Sequence, residues 1–220
     1  MNDDPHAPLA PLESGAALAD ADAALVLIHG RGAAPDDLAP LANLLLEGRT
    51  AAVAVRLPRA AGSVWYPRRF VEPEAVNQPW LDSARAKVGA TLDALEAAGI
   101  DPTRTVLGGF SQGACLATDV AARRGRPLGA VLAFAGGLIG ETLDPDAYDG
   151  DLAGTPVFLG SADPDPHIPT GRVEASAEIL RGLGAEVEVR LYPGLGHTIG
   201  ADQLEVGRAR VAQAFGEADG

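Results

Sequence analysis

The run Gly109-Phe110-Ser111-Gln112-Gly113 follows the apolar Thr105-Val106-Leu107 and leads into the helix-prone Ala114-Cys115-Leu116-Ala117. A serine two positions from a glycine on each side, at the junction of a strand and a helix, is a nucleophile elbow. The serine takes a strained backbone conformation at the apex, and the glycines let strand and helix approach closely. That strain aims the hydroxyl outward, off the end of a parallel sheet. A chain carrying this turn must therefore build such a sheet around it.

The remaining pattern supplies one. From Ala23 onward, continuous apolar runs bounded by Gly and Pro alternate with amphipathic stretches, as in a parallel sheet covered on both faces. The pattern predicts strands at 23–29, 51–57, 104–110, 128–135, 155–160 and 186–192, and helices near 36–47, 80–98, 112–124, 172–183 and 202–216. In the second helix Leu81, Ala84, Val88, Leu92 and Leu95 share one face, while Gly99, Gly125 and Gly184 each stop a helix. The fold class is α/β, with a mostly parallel doubly wound sheet flanked by helices. Residues 1–21, rich in Pro and Ala, read as an N-terminal arm or a short hairpin, and 22–220 as a single domain, within the roughly 100 to 250 residues of ordinary domains.

The segment 60–79 has no clean period and reads as a long loop. Both tryptophans of a chain that is only 5% aromatic fall in or beside it, Trp65 and Trp80, together with Tyr66 and Phe70. Long irregular segments in compact domains are usually functional. The expectation is that Trp65, Tyr66 and Phe70 wall an apolar substrate pocket; the competing reading is a loop pinned to the core by its own aromatics.

Composition narrows the partners. A formal charge of −13 argues against nucleic acid or an anionic membrane surface. The longest apolar runs, such as Ala23 to Ile28, are far short of the roughly 20 residues that span a bilayer, so membrane insertion is not expected. The acidic opening Met1-Asn2-Asp3-Asp4-Pro5 lacks the basic start of a secretory signal, and the lone Cys115 excludes an intramolecular disulfide and a cysteine-based metal cluster. The expected location is cytoplasmic, the expected partner is a small molecule, and a homodimer is left open.

Cleavage by a serine needs a base to take its proton, an acid to orient the base, and donors for the oxyanion. His197 lies in the glycine-rich Tyr192-Pro193-Gly194-Leu195-Gly196-His197 that follows the last strand, where a base can reach back over the sheet edge. An acid is available in Ser161-Ala162-Asp163-Pro164-Asp165-Pro166-His167-Ile168-Pro169, after the preceding strand; position alone allows Asp163 or Asp165. Early in the chain, Leu25-Val26-Leu27-Ile28 runs into the turn His29-Gly30-Arg31-Gly32. The order Ser, Asp, His is one of three unrelated orders in which this chemistry recurs.

Together, Leu-Ile-His-Gly-Arg-Gly at 27–32, the elbow, Asp-Pro-x-Ile-Pro at 165–169 and Tyr-x-Gly-x-x-His at 192–197 make the chain resemble the phospholipase/carboxylesterase family of α/β-hydrolases, relatives of the acyl-protein thioesterases, over about residues 22–217. The resemblance implies a small, largely lidless serine esterase that needs no metal or cofactor and acts on carboxylic esters or thioesters of modest acyl length. It implies Ser111 as nucleophile, His197 as base and Asp165 as acid, since Asp165 meets the family's acid without a gap counting from Pro156 and Asp163 would require a two-residue insertion. It further implies the backbone N–H groups of Arg31 and Gln112 as oxyanion donors. Ser161-Ala162 replaces the His-Gly pair that usually opens the acid loop, and the Trp65-Tyr66-Pro67 loop also departs from the usual form. Substrate identity therefore does not carry over.

Other candidates have plainer roles. His29 reads as a turn residue, and His167 follows the acid too closely to arch back over the serine. Cys115, one helical turn beyond Ser111, reads as buried packing, and Arg68 and Arg69 as either solvated or anion-gripping. Only Lys87 among the 17 Lys and Arg residues is a lysine. A GC-rich genome explains that bias, and so does adaptation to a salty cytoplasm. Under the second explanation screening relieves self-repulsion, so the melting temperature is expected to rise between dilute buffer and molar KCl. A flat or falling curve would leave codon bias as the explanation.

Overall fold

The computed structural model describes residues 4–7 and 9–216. Among the described residues, strands Leu12–Gly15 (β1), Ala23–Ile28 (β2), Val53–Leu57 (β3), Thr105–Phe110 (β4), Ala130–Phe134 (β5), Pro156–Asp163 (β6) and Glu186–Pro193 (β7) form one sheet in the order β1-β3-β2-β4-β5-β6-β7. Only the β1–β3 pair is antiparallel. The helices are Ala39–Leu46 (α1), Trp80–Ala97 (α2), Gln112–Arg124 (α3), Thr170–Gly182 (α4) and Ala201–Ala214 (α5). None is long and apolar enough to cross a membrane.

Alternation along the strands explains the two layers, because successive side chains of a strand point to opposite faces. In β2, Ala24, Val26 and Ile28 pack with Leu81 and Leu92 of α2, Leu116 of α3 and Leu180 of α4. Ala23, Leu25 and Leu27 face the other way, onto Leu41 and Leu45 of α1 and Val206 and Val211 of α5. The chain steps outward from β2 to β3 on one side and from β4 to β7 on the other, so the strand order reverses between β2 and β4. Ligand crevices in open α/β sheets form at such a reversal, beyond the carboxyl ends of the strands.

Three elements depart from the expected pattern. The arm or hairpin expected over 1–21 includes residues 1–3 and 8, which lie outside the described residues; of the rest, Leu12–Gly15 forms β1, paired to β3 rather than folded on itself. Its four residues are mostly exposed and carry no apolar alternation. The helix expected near 36–47 starts as a tight 3-10 turn, Pro35–Leu38, and becomes α-helical at Ala39. Pro40 is the cause: it has no N–H, and its ring would meet the Asp36 carbonyl in a continuous α-helix. Strand β6 runs on to Asp163, opposite Pro193 of β7, so Ser161, Ala162 and Asp163 belong to the strand and the acid loop proper begins at Pro164.

The aperiodic segment is tied down by charge. Asp119 of α3 is fully buried, 2.7 Å from Arg85 Nε and 3.1 Å from Arg123 Nε. Glu74, from the 60–79 segment, meets both arginines at 2.7 Å. Burial disfavours the charge on Arg85, but Glu74 and Asp119 outweigh it and raise its pKa. The four groups staple the segment to α2 and α3. Without Asp119 the Nε groups of Arg85 and Arg123 lose their acceptor while Glu74 still holds both guanidinium groups, a loss of about 1–3 kcal/mol. Asp119→Ala is therefore expected to lower unfolding free energy by about that amount in urea titration; a loss below ~1 kcal/mol would show the cluster to be solvated in solution.

Candidate active site

Ser111 caps α3 with φ +55° and ψ −118°, a left-handed conformation that costs a non-glycine residue on the order of 1–3 kcal/mol. The surroundings hold it there. The Ser111 N–H donates to the Phe134 carbonyl of β5 at 2.9 Å, and its own carbonyl accepts the Cys115 N–H at 3.0 Å. Close approach explains the flanking glycines. A Cβ on Gly109 would lie 2.6 Å from the Gly113 carbonyl carbon, and one on Gly113 would collide with the Ile28 carbonyl oxygen. Strand β2, strand β4 and helix α3 thus meet at the elbow with no side chain between them.

His197 and Asp165 arrive from neighbouring strand ends. The loop after β7 turns twice, at Gly194 (φ +72°) and Gly196 (φ +76°), and brings His197 back over the sheet. Its Nε2 lies 2.8 Å from Ser111 Oγ and its Nδ1 lies 2.8 Å from Asp165 Oδ2. The other carboxylate oxygen of Asp165 accepts the His167 and Ile168 N–H groups at 2.7 and 3.0 Å. Burial alone would raise the Asp165 pKa; the hydrogen bonds from His197 and from these two amides prevail and hold it below the usual carboxylate range. A carboxylate in that state fixes the imidazole with its Nδ1 proton inward and its Nε2 lone pair toward the serine. Asp163, at the end of β6, instead accepts from Thr170 Oγ1 at 3.3 Å.

Gly30 packs against the elbow: a Cβ there would lie 3.4 Å from Ser111 Cβ. This contact sets Arg31 beside the serine from the β2 side, while Gln112 opens α3 on the other. The N–H groups of Arg31 and Gln112 therefore belong to segments that adjoin the Ser111 hydroxyl. Both side chains have a further task that the motif does not announce. Gln112 Oε1 accepts the Trp65 N–H at 2.9 Å and its Nε2 donates to the Tyr66 carbonyl at 2.8 Å. The Arg31 guanidinium donates to the Tyr66 and Arg68 carbonyls at 2.8 and 3.0 Å. The 60–79 segment is thereby hydrogen-bonded to the two segments that flank the serine.

The cavity above Ser111 has a volume of about 270 Å³. Tyr66, Phe70, Phe110, Cys115 and Ile168 supply its apolar wall, and Arg31, Arg68, Arg69 and His167 its polar side. Of the three aromatics expected to wall it, Tyr66 and Phe70 do. Trp65 does not: it is fully buried beneath, its ring 4.9 Å from that of His29 and 5.4 Å from that of His6, with its indole N–H on the His29 carbonyl. Tyr66 is buried in the same core cluster, but it borders the cavity where Trp65 does not. His29 is itself fully buried, and burial lowers its pKa. His167 lines the cavity edge-on to His197, ring centres 4.8 Å apart, and hydrogen-bonds neither Ser111 nor Asp165 through its ring. Cys115 is buried as expected but also touches the cavity, and burial pushes its thiol up to about 12, leaving it protonated and inert.

His6 escaped the sequence reading. Its ring accepts the Ala61 N–H at 2.8 Å through Nδ1 and donates through Nε2 to the Trp65 carbonyl at 2.8 Å, between the rings of Trp65 and Trp80. Contacts between residues so far apart in the chain leave no local signal.

The sequence profile described as phospholipase/carboxylesterase matches residues 16–209. The chain belongs to that family. A crystal structure of a phospholipase/carboxylesterase from Dyadobacter fermentans superposes with a TM-score of 0.87 at 39% identity, over 92% of this chain and 95% of that one. The crystal structure of esterase PE8 superposes at 0.76 with 25% identity, over 94% and 99%. Acyl-protein thioesterase 1 of Gibberella zeae is 36% identical over 109 residues, which are 49% of this chain and 46% of that protein. The chain spans about half the length of the curated relatives it matches. Its α/β-hydrolase fold is that of its structural neighbours.

The inward placement of Trp65 changes what its removal should do. Trp65→Ala would empty a buried site and release an indole hydrogen bond, so a loss of about 3–5 kcal/mol in unfolding free energy is expected. A stable variant with an altered ester preference would instead return Trp65 to the cavity wall.

Proposed function

We propose that this protein is a serine carboxylesterase that cleaves carboxylic esters of small to medium acyl length through an acyl-enzyme on Ser111. The observation that carries the reading is the unbroken chain of 2.8 Å hydrogen bonds from Asp165 through His197 to Ser111. In this reading His197 Nε2 takes the Ser111 proton as Oγ attacks the ester carbonyl, and Asp165 stabilises the imidazolium that forms. The N–H groups of Arg31 and Gln112 receive the oxyanion, aided by the N-terminal dipole of α3. His197 then gives its proton to the leaving alcohol. Water enters, His197 removes a proton from it, and attack on the acyl-enzyme releases the acid and restores Ser111. Neither metal nor cofactor takes part.

The cavity volume favours modest acyl groups over long ones. Thioester cleavage is the second reading, since the same groups serve a thiol leaving group and a relative bears the name acyl-protein thioesterase. A ligand-binding protein without catalysis has no use for a base held on its serine, which argues against that alternative. The lone cysteine favours a cytoplasmic location.

A fluorophosphonate probe is expected to label Ser111, and Ser111→Ala to abolish labelling and lower kcat by at least about 10³-fold. Asp165→Asn should keep the fold and cut turnover roughly 10⁴-fold, because the imidazole is then held in the wrong tautomer. Asp163→Asn should cost about tenfold or less. An adduct found elsewhere by mass spectrometry, or the reverse ranking of the two Asp variants, would overturn the assignment.

A further inference from the structure

The cavity above Ser111 has the opposite sign to the protein around it. The chain carries 30 Asp and Glu against 17 Lys and Arg, yet the residues lining the cavity include Arg31, Arg68 and Arg69 and no acidic side chain. Most arginines elsewhere are neutralised by carboxylates: Arg124 meets Asp93 at 2.7 Å, Arg126 meets Glu96 at 2.9 Å and Arg190 meets Asp202 at 2.8 Å. The three cavity arginines pair with no carboxylate among the described residues. Arg31 spends its guanidinium on the Tyr66 and Arg68 carbonyls. Arg69 donates only to the His167 carbonyl, at 3.4 Å, and the nearby Glu72 accepts the Arg69 backbone N–H, not the guanidinium. The Arg68 guanidinium has no hydrogen-bond partner among the described residues. In a protein with an excess of acid, cations left unpaired beside a reactive serine have no structural purpose that the surrounding contacts reveal.

From this we infer that the ester substrate carries an anionic group, a carboxylate or a phosphate, which Arg68 and Arg69 bind at the mouth of the cavity while Phe70, Phe110 and Ile168 hold the apolar part beside Ser111. The inference rests on the esterase reading and names its substrate class. Guanidinium groups suit it: each presents a planar fork of donors that matches a carboxylate or phosphate, and each keeps its charge at any working pH. The donors of Arg31 hold the Tyr66 and Arg68 carbonyls, so the backbone that carries the pair is fixed at the rim of the cavity. The net acidic charge discourages anions near the surface, and the cationic mouth offsets this locally beside Ser111.

The test compares matched esters. On the acyl side these are 4-nitrophenyl butyrate and 4-nitrophenyl hemisuccinate; on the alcohol side, phenyl acetate and 4-acetoxybenzoate; 4-acetoxyphenyl phosphate adds the phosphate. For at least one anionic ester kcat/KM is expected to exceed that of its neutral partner by about tenfold, mainly through KM, and the ratio should collapse toward one in R68Q/R69Q. Which ester gains tells carboxylate from phosphate. Ratios near one in the wild type, or a ratio kept by R68Q/R69Q, would overturn the inference while leaving the esterase reading intact. If the wild type cleaved no ester, the esterase reading would fail, and calorimetric titration of S111A with the same esters would still decide the cationic mouth. Preferential, Arg-dependent binding of an anionic member supports it, and equal binding of neutral and anionic members refutes it. Both arginines are exposed, so the double variant leaves the core untouched, and unchanged melting verifies that.

Discussion

The carbonyl oxygen of Ile28 occupies the place that any side chain on residue 113 would need. The rest of the site depends on this contact. It draws β2, β4 and α3 together at the point where the strand order reverses, and it leaves the backbone at Ser111 no room to relax from φ +55°. A strained residue persists only where its surroundings over-determine it; here the constraints are the glycine contacts, the bond from the Ser111 N–H to Phe134, and the first turn of α3 closing on the Ser111 carbonyl. The same closeness sets Arg31 and Gln112 either side of the serine. Strain at the elbow and the placement of Arg31 and Gln112 beside the serine are thus two results of one packing arrangement.

From this centre, order spreads to a segment that has little of its own. Residues 60–79 contain no strand and a single 3-10 turn, Glu74–Asn77, yet they form one wall of the cavity. Gln112 and Arg31 hold the Trp65 to Arg68 stretch from the elbow side. His6 and the buried indole of Trp65 hold it from below, and the Glu74 cluster holds its far end. Hydrogen bonds to backbone carbonyls suit such a task, because they satisfy polar groups that an irregular buried segment would otherwise leave unpaired. A wall made this way is positioned by the residues that flank Ser111, so the cavity and the elbow share one set of contacts.

How much of this could be seen in the sequence follows from how local each signal is. The elbow, the alternating strands and helices and the glycine stops are encoded within a few residues, and the predicted elements match to within a few positions. Position alone left Asp163 and Asp165 open and only the family resemblance preferred Asp165, whose Oδ1 accepts two amides in the turn that carries Pro166 and Pro169. What was missed is non-local. Strand β1 is an exposed edge whose register is set by β3, and Gln112 carries a loop-holding role that its place in the motif does not reveal. Trp65 was misplaced because composition says that an aromatic is present but not which way it faces. The hydrogen bonds that fix it, from the Trp65 indole to the His29 carbonyl and from the Trp65 N–H to Gln112, join residues far apart in the chain.

The charge pattern follows the same logic at longer range. A net acidic charge needs no specific arrangement, since repulsion falls off within a Debye length of about 8 Å at physiological salt. A cationic cavity in the same molecule does need one, because any acidic side chain within reach would collapse onto the arginines. Several features prevent this. Glu72 is engaged by a backbone N–H, Glu74 is drawn away by Arg85 and Arg123, and Asp165 is turned inward by His197 and two amides. These three carboxylates are thus committed to other partners. The arginines at the mouth stay uncompensated because the acids near them are already bound, and several of those bonds also build the site.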